Sequence, residues 1–185
     1  MIRSSSIKHY DVGGWLEMVH NILPKMYVVT TADAFAKIGE ILLEQRPEGT
    51  DWPYPFVVNV ALSIELYLKS YLAEDDFVPF FSHDDGSTTY QGFTKCLTHE
   101  HRFDKLYSKI PKDIKDKIEN EFSGSRLTEK FSTFDEALVK FASSFVEARY
   151  PYERGGFKGG CISDLMCIST FLKETIYKLG EFHGA

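Results

Sequence analysis

Five cations of this chain are placed where they can hold a phosphate: Arg149, Arg154, Lys158, Lys105 and Lys109. A guanidinium forks onto two phosphate oxygens at once, whereas a lysine acts as a point charge. Arg149 closes the helix-like run Phe145-Val146-Glu147-Ala148-Arg149, shortly before Pro151. Arg154 and Lys158 sit among the glycines of Arg154-Gly155-Gly156-Phe157-Lys158-Gly159-Gly160, and glycines let a backbone approach an anion at the start of the next helix. That loop lacks a lysine–threonine ending and follows no strand, so it is not a Walker motif. A plainer local role stands beside each: Arg149 can answer the last carbonyls of its own helix, and the glycine loop can be a connector. Lys105 and Lys109 belong to the one basic region, where Arg102, Lys112, Lys115 and Lys117 help outnumber Asp104, Asp113 and Asp116. Lysine interleaved with aspartate is also how a solvated helix face reads.

His99-Glu100-His101, with Cys96 and His83 nearby in sequence, invites a metal reading. Two histidines two apart share a side only on a strand, and no recognised zinc spacing is present, so one of them is expected to cap or pack the following helix. No metal and no cofactor is expected. Glu65 precedes Lys69 by one helical turn, the favoured order for a surface pair worth about 0.3 kcal/mol. No serine or cysteine is tied by local sequence to a histidine and a carboxylate, so no catalytic residue is assigned.

A length of 185 residues fits one domain with a sizeable core. Aromatic residues make up 15% of the chain, so phenylalanine and tyrosine should fill much of that core. The net charge of −6 argues against a general nucleic-acid coat protein while leaving room for a local basic patch. Cys96, Cys161 and Cys167 are an odd, scattered set that argues against a disulfide framework. No apolar run reaches the roughly 20 residues that span a bilayer, and the N-terminal residues do not read as a signal peptide, so the expected location is cytoplasmic.

The elements that must position these groups follow from apolar spacing. A short helix is expected near Trp15, Leu16, Val19 and Ile22, and a longer one from Pro24 to about Gln45. Past Trp52-Pro53-Tyr54-Pro55, the stripe Val57, Ala61, Ile64, Leu68 and Tyr71 is the clearest in the chain. Residues 77–92 surround an Asp85-Gly86 turn signal and suit a small hairpin or an ordered loop. Helices are expected again from Arg102, from Pro111 toward Gly124, from the capping box Thr133-Phe134-Asp135-Glu136 to about Arg149, and over Ile162 to Leu179. The reading is all-α: a single-domain antiparallel bundle of five or more helices, core about 25–182, with a hairpin insertion around 77–92.

Three segments in this order resemble the HEPN superfamily of helical nucleotide-binding domains. They are Ala61-Leu62-Ser63-Ile64-Glu65-Leu66-Tyr67-Leu68-Lys69, Thr98-His99-Glu100-His101-Arg102-Phe103-Asp104-Lys105-Leu106-Tyr107, and Ala148-Arg149-Tyr150-Pro151. The resemblance covers roughly residues 55 to 155. It implies a helical bundle, often a homodimer, that binds nucleotides or RNA, with some members acting as toxin or defence ribonucleases and others partnering a nucleotidyltransferase. Ribonuclease members carry an arginine followed four to six residues later by histidine. Arg149 and Arg154 have no histidine in that range, and only Arg3 to His9, near the N-terminus, obeys the spacing. The expected role is therefore a non-catalytic nucleotide- or RNA-binding module contacting anions through Arg149, Arg154 and Lys158, with Lys105 and Lys109 secondary. The alternatives are a metal-independent ribonuclease with an altered site and a protein-interaction scaffold.

Overall fold

The computed structural model describes residues 24–48, 51–150 and 161–180. Arg154, Lys158, the Arg3 to His9 pair and the expected helix near Trp15 lie outside the described residues.

The first helix, α1 (Met26–Gln45), presents Val29, Ala32, Ala36 and Gly39 inward at three- and four-residue steps. Small residues along that stripe let α2 (Pro53–Ser70) come close. At Gly39 a Cβ would lie 2.4 Å from Val60 Cγ2, so only glycine fits this crossing. Arg46 ends α1 in the left-handed region, φ 39°, its N–H donating to the Leu42 carbonyl. Pro53 opens α2 at a position where the missing N–H costs nothing.

Helix α2 is the axis of the fold. It packs against α1, α3 (Phe103–Lys109), α6 (Ser144–Arg149) and α7 (Ile162–Leu179). Its buried residues include Ser63, Glu65 and Ser70 beside Phe56, Val60, Ile64 and Leu68. The polar ones are not stranded: Ser63 Oγ bonds both the Val60 carbonyl and Ser169 Oγ of α7, each at 2.7 Å.

Between α2 and α3 stands a two-stranded antiparallel sheet, β1 (Ala73–Ser82) and β2 (Thr88–Cys96). This corrects the all-α reading: the molecule is mixed α/β. The turn signal at Asp85-Gly86 is used, with Gly86 at φ 84° and His83 N–H donating to the Ser87 carbonyl at 2.8 Å. The strands extend beyond residues 77–92, however, because Ala73↔Cys96 and Glu74↔Lys95 continue the ladder to its root. There the Leu97 N–H donates to the Leu72 carbonyl at 2.9 Å, and Lys25 Nζ reaches Asp75 at 3.0 Å.

Helix α4 (Lys112–Ser123) buries Ile118 and Phe122, and a 3₁₀ turn follows at Arg126–Glu129. Thr133 caps α5 (Phe134–Lys140) by accepting the Glu136 N–H at 3.1 Å, while the Glu136 carboxylate turns back to the Ser132 N–H at 2.8 Å. The expected run from Phe134 to Arg149 is broken. Residues 141–143 form a turn, and α6 starts afresh at Ser144, where two consecutive serines compete with helical hydrogen bonding. Tyr107, Phe122, Phe134 and Phe171 meet ring to ring at 4.9–6.0 Å, so aromatics do fill the centre.

Candidate functional site

The Glu65–Lys69 pair is not the surface feature its spacing suggests. Helix α2 is covered on most of its circumference, so the Glu65 side chain is only 3% exposed and that of Lys69 12%. Glu65 Oε1 accepts from Lys69 Nζ at 2.7 Å and sits 2.9 Å from His101 Nδ1. Glu65 Oε2 is buried with no hydrogen-bond partner among the described residues. Desolvating a carboxylate is expensive, and the lysine at one turn's distance is what offsets it.

His101 arrives from the segment before α3. Glu100 fixes that segment by accepting the backbone N–H groups of His101 and Arg102 at 2.9 and 3.0 Å. Those two donors, Arg102's first, hold the Glu100 carboxyl below its ordinary range. Glu100 therefore braces the start of α3, while the His101 ring turns to Glu65 and Phe145. The side chain of His101 is 55% exposed. A carboxylate oxygen only accepts, so Nδ1 carries a proton toward Glu65, and Nε2 has no partner among the described residues.

The far face of this cluster comes from α6. The His101 and Phe145 rings lie 6.2 Å apart with planes 28° from parallel. Arg149 Cζ lies 5.0 Å from the Phe145 centroid and 5.3 Å from that of Tyr150. These rings hold the guanidinium by cation–π contact, and among the described residues it makes no salt bridge and no hydrogen bond to its helix's carbonyls. It is exposed, and its donor fork meets no acceptor among the described residues. Turning the chain at residues 141–143 is what brings Phe145 and Arg149 against α2, since α6 packs extensively on it.

Of the sequence-expected anion contacts, Arg149 thus joins the Glu65–Lys69–His101 group only through the Phe145 ring, which both His101 and the guanidinium contact. Lys105 and Lys109 are exposed on α3, and Lys109 Nζ donates to Thr98 Oγ1 at 2.7 Å. No contact ties either to the cluster, and Arg154 and Lys158 lie outside the described residues. Whether His99 or His101 approaches Arg149 could not be read from the sequence, because about 50 positions separate them; the structure links His101 to Arg149 through Phe145. The His-led segment and the Glu65–Lys69 turn were the available signals, and neither states that they meet.

The metal reading finds its residues dispersed. His83 Nε2 bonds Thr89 Oγ1 at the hairpin tip, Cys96 Sγ points at the Leu72 carbonyl, and His101 engages Glu65. Among the described residues no three metal-ligating side chains converge. No helix among them is long and apolar enough to cross a membrane. No family model, no curated protein and no solved structure matches the chain.

Proposed function

We propose that this protein is a HEPN-like module that binds RNA or a nucleotide by its phosphate, acts in the cytoplasm and self-associates. The observation that carries the reading is the Arg149 guanidinium, seated on Phe145 and Tyr150 with no acceptor for its donors among the described residues, and linked through the Phe145 ring to a His101 held by Glu65. An arginine fork suits two phosphate oxygens, and the exposed His101 ring offers π surface for a base. The overall charge of −6 confines phosphate to such a local patch.

The Nε2 of His101, without a partner among the described residues, favours a second reading, the metal-independent ribonuclease. In that chemistry an unprotonated Nε2 takes the proton of a ribose 2′-hydroxyl, and the 2′-oxygen bonds to phosphorus as the 5′-oxygen leaves, taking a proton from water. Arg149 offsets the charge that grows on the phosphoryl oxygens.

The test is end-labelled structured RNA mixed with the protein, without metal, at low and moderate salt, read on native and denaturing gels. A salt-sensitive shift with intact RNA, weakened tenfold or more in Arg149→Ala, supports the binding module. Fragments that disappear in both Arg149→Ala and His101→Gln replace it with the ribonuclease. No shift for RNA or free nucleotide removes both and leaves the scaffold.

A further inference from the structure

The two edges of the hairpin are not alike. Strand β1 is guarded: Pro79 takes a backbone donor out of it, the register shifts between Pro79 and Phe81, and Glu74, Asp75 and Asp76 crowd its first half. Strand β2, Thr88-Thr89-Tyr90-Gln91-Gly92-Phe93-Thr94-Lys95-Cys96, holds no proline, no acidic residue and a single cation. Its threonines and aromatics favour an extended chain, and every residue of it is at least partly exposed. Among the described residues β2 pairs with β1 alone. The Leu97 N–H donates to the Leu72 carbonyl, which fixes the alternation along the ladder: at Tyr90, Gly92, Thr94 and Cys96 the backbone groups turn away from β1. An edge this long and unguarded is a template for another strand.

Parity and charge decide which strand fits. Pairing β2 with its own copy about a two-fold axis runs the strands antiparallel and keeps like faces together. With Gln91 on the axis, Tyr90 lies opposite the copy's Gly92, Thr89 opposite its Phe93, Thr88 opposite its Thr94, and Lys95 opposite its Ser87. Lys95 is then one diagonal step from the copy's Asp85. Lys95 is exposed and forms no ion pair among the described residues, even with Glu74 across the ladder. Asp85 is exposed at the hairpin tip, its carboxylate engaged only by the Ser87 hydroxyl at 2.7 Å and the Ser87 N–H at 2.9 Å. The axis repeats the contact, so the joint carries two opposite-charge pairs, while Glu74, Asp75 and Asp76 stay on β1, away from it. The same register puts Phe93 in one row with the copy's Thr89 and Phe81, so exposed rings of both arms share a face.

We propose that β2 is the self-association surface of this protein: two copies join antiparallel, β2 to β2 with Gln91 on the two-fold axis, into one four-stranded sheet. The inference rests on the self-association proposed above and is independent of the phosphate site.

The test is sedimentation equilibrium of the full chain over a range of concentrations, beside two variants. Tyr90→Pro removes an outward N–H and no bond to β1, since Tyr90 faces Pro79. The loss occurs twice by symmetry, so the monomer–dimer Kd should rise at least about tenfold, with circular dichroism checking the variant's fold. Gln91→Cys is placed in a chain carrying Cys96→Ser, Cys161→Ser and Cys167→Ser. Its thiols face each other across the axis and should oxidise in diamide to a covalent dimer, whereas Lys95→Cys in the same background should not. A dimer unaffected by Tyr90→Pro, or cross-linking no faster at Gln91→Cys than at Lys95→Cys, overturns β2 as the joint while self-association stands. A chain that stays monomeric at every concentration overturns both.

Discussion

Replacing Lys69 with methionine should destabilise the protein more than replacing Glu65, although the two share one ion pair. The reasoning rests on unequal burial: 3% exposure for the Glu65 side chain, 12% for Lys69, and His101 largely in water. In Lys69→Met a carboxylate stays buried with only the half-exposed His101 ring to answer it. Loss of one partner of a buried pair costs about 3–5 kcal/mol, and this variant should fall within that range. In Glu65→Leu the stranded ammonium can edge toward solvent on its flexible stem, so a smaller cost, about 2 kcal/mol, is expected. The double variant removes both charges and should recover most of the loss, because an apolar pair of similar volume often replaces a buried ion pair without penalty. Thermal unfolding reads this directly, since each kcal/mol is about 2–4 °C at this chain length. Lys69→Met should therefore lower Tm by about 6–20 °C, with the double variant well above it. Single variants within about 1 °C of wild type, or a double variant showing the sum of both losses, would refute the claim that Glu65 is held by Lys69.

Tyr71 gives a gain. Its hydroxyl is buried with no hydrogen-bond partner among the described residues, so Tyr71→Phe should stabilise by about 1 kcal/mol in urea unfolding at neutral pH. Burial also raises the phenol's pKa, as it does first and foremost for Tyr67 and Tyr107, whose partners Asp33 and Glu119 add to the effect. A raised folded-state pKa keeps its stability contribution whole below the unfolded value of about 10, and loses it as pH climbs toward the folded one. The unfolding midpoint should therefore drop above pH ~10, less steeply in Tyr71→Phe, and an equal slope for both proteins counts against the assignment. Gly39→Ala adds a helix-favouring residue yet should cost about 1–3 kcal/mol, since its Cβ would lie 2.4 Å from Val60 Cγ2; a rise in Tm would show that α1 can move away.

Much of the helical layout was legible in residue spacing. Residues Met26–Gln45 and Ile162–Leu179 carry long apolar stripes bounded by stop signals, and both form helices close to those limits. The depth of Glu65 was not legible, because local pattern marks an acidic residue as outward and α2 has almost no outward side once four helices pack on it. The break at residues 141–143 was hidden by apolar Phe141 and Phe145, which keep helical spacing through a turn. Fold class went wrong for a related reason. The Asp-Gly turn was visible, but the acidic run Glu74, Asp75, Asp76 has poor strand propensity, and cross-strand pairing prevails over it. As for the candidate site, Arg149 and the Glu65–Lys69 turn were each visible alone, whereas their meeting at His101 and Phe145 is a long-range event that no local window contains.

The closed root of the hairpin bears on how this chain can be cut and rejoined. Leu72 and Leu97 are already hydrogen-bonded to each other, and no residue between Glu74 and Leu97 belongs to the buried central cluster. Bridging that neck with two or three glycines closes a very short loop and adds little entropy cost. Chains in which that bridge replaces 77–92, keeping Asp75 and Thr94 for the buried Lys25, should still fold, with the Tyr107–Phe134 region unchanged in near-ultraviolet dichroism. The arm is then a graft on a self-sufficient helical stock: it can be lengthened, exchanged or shed without renegotiating the interior.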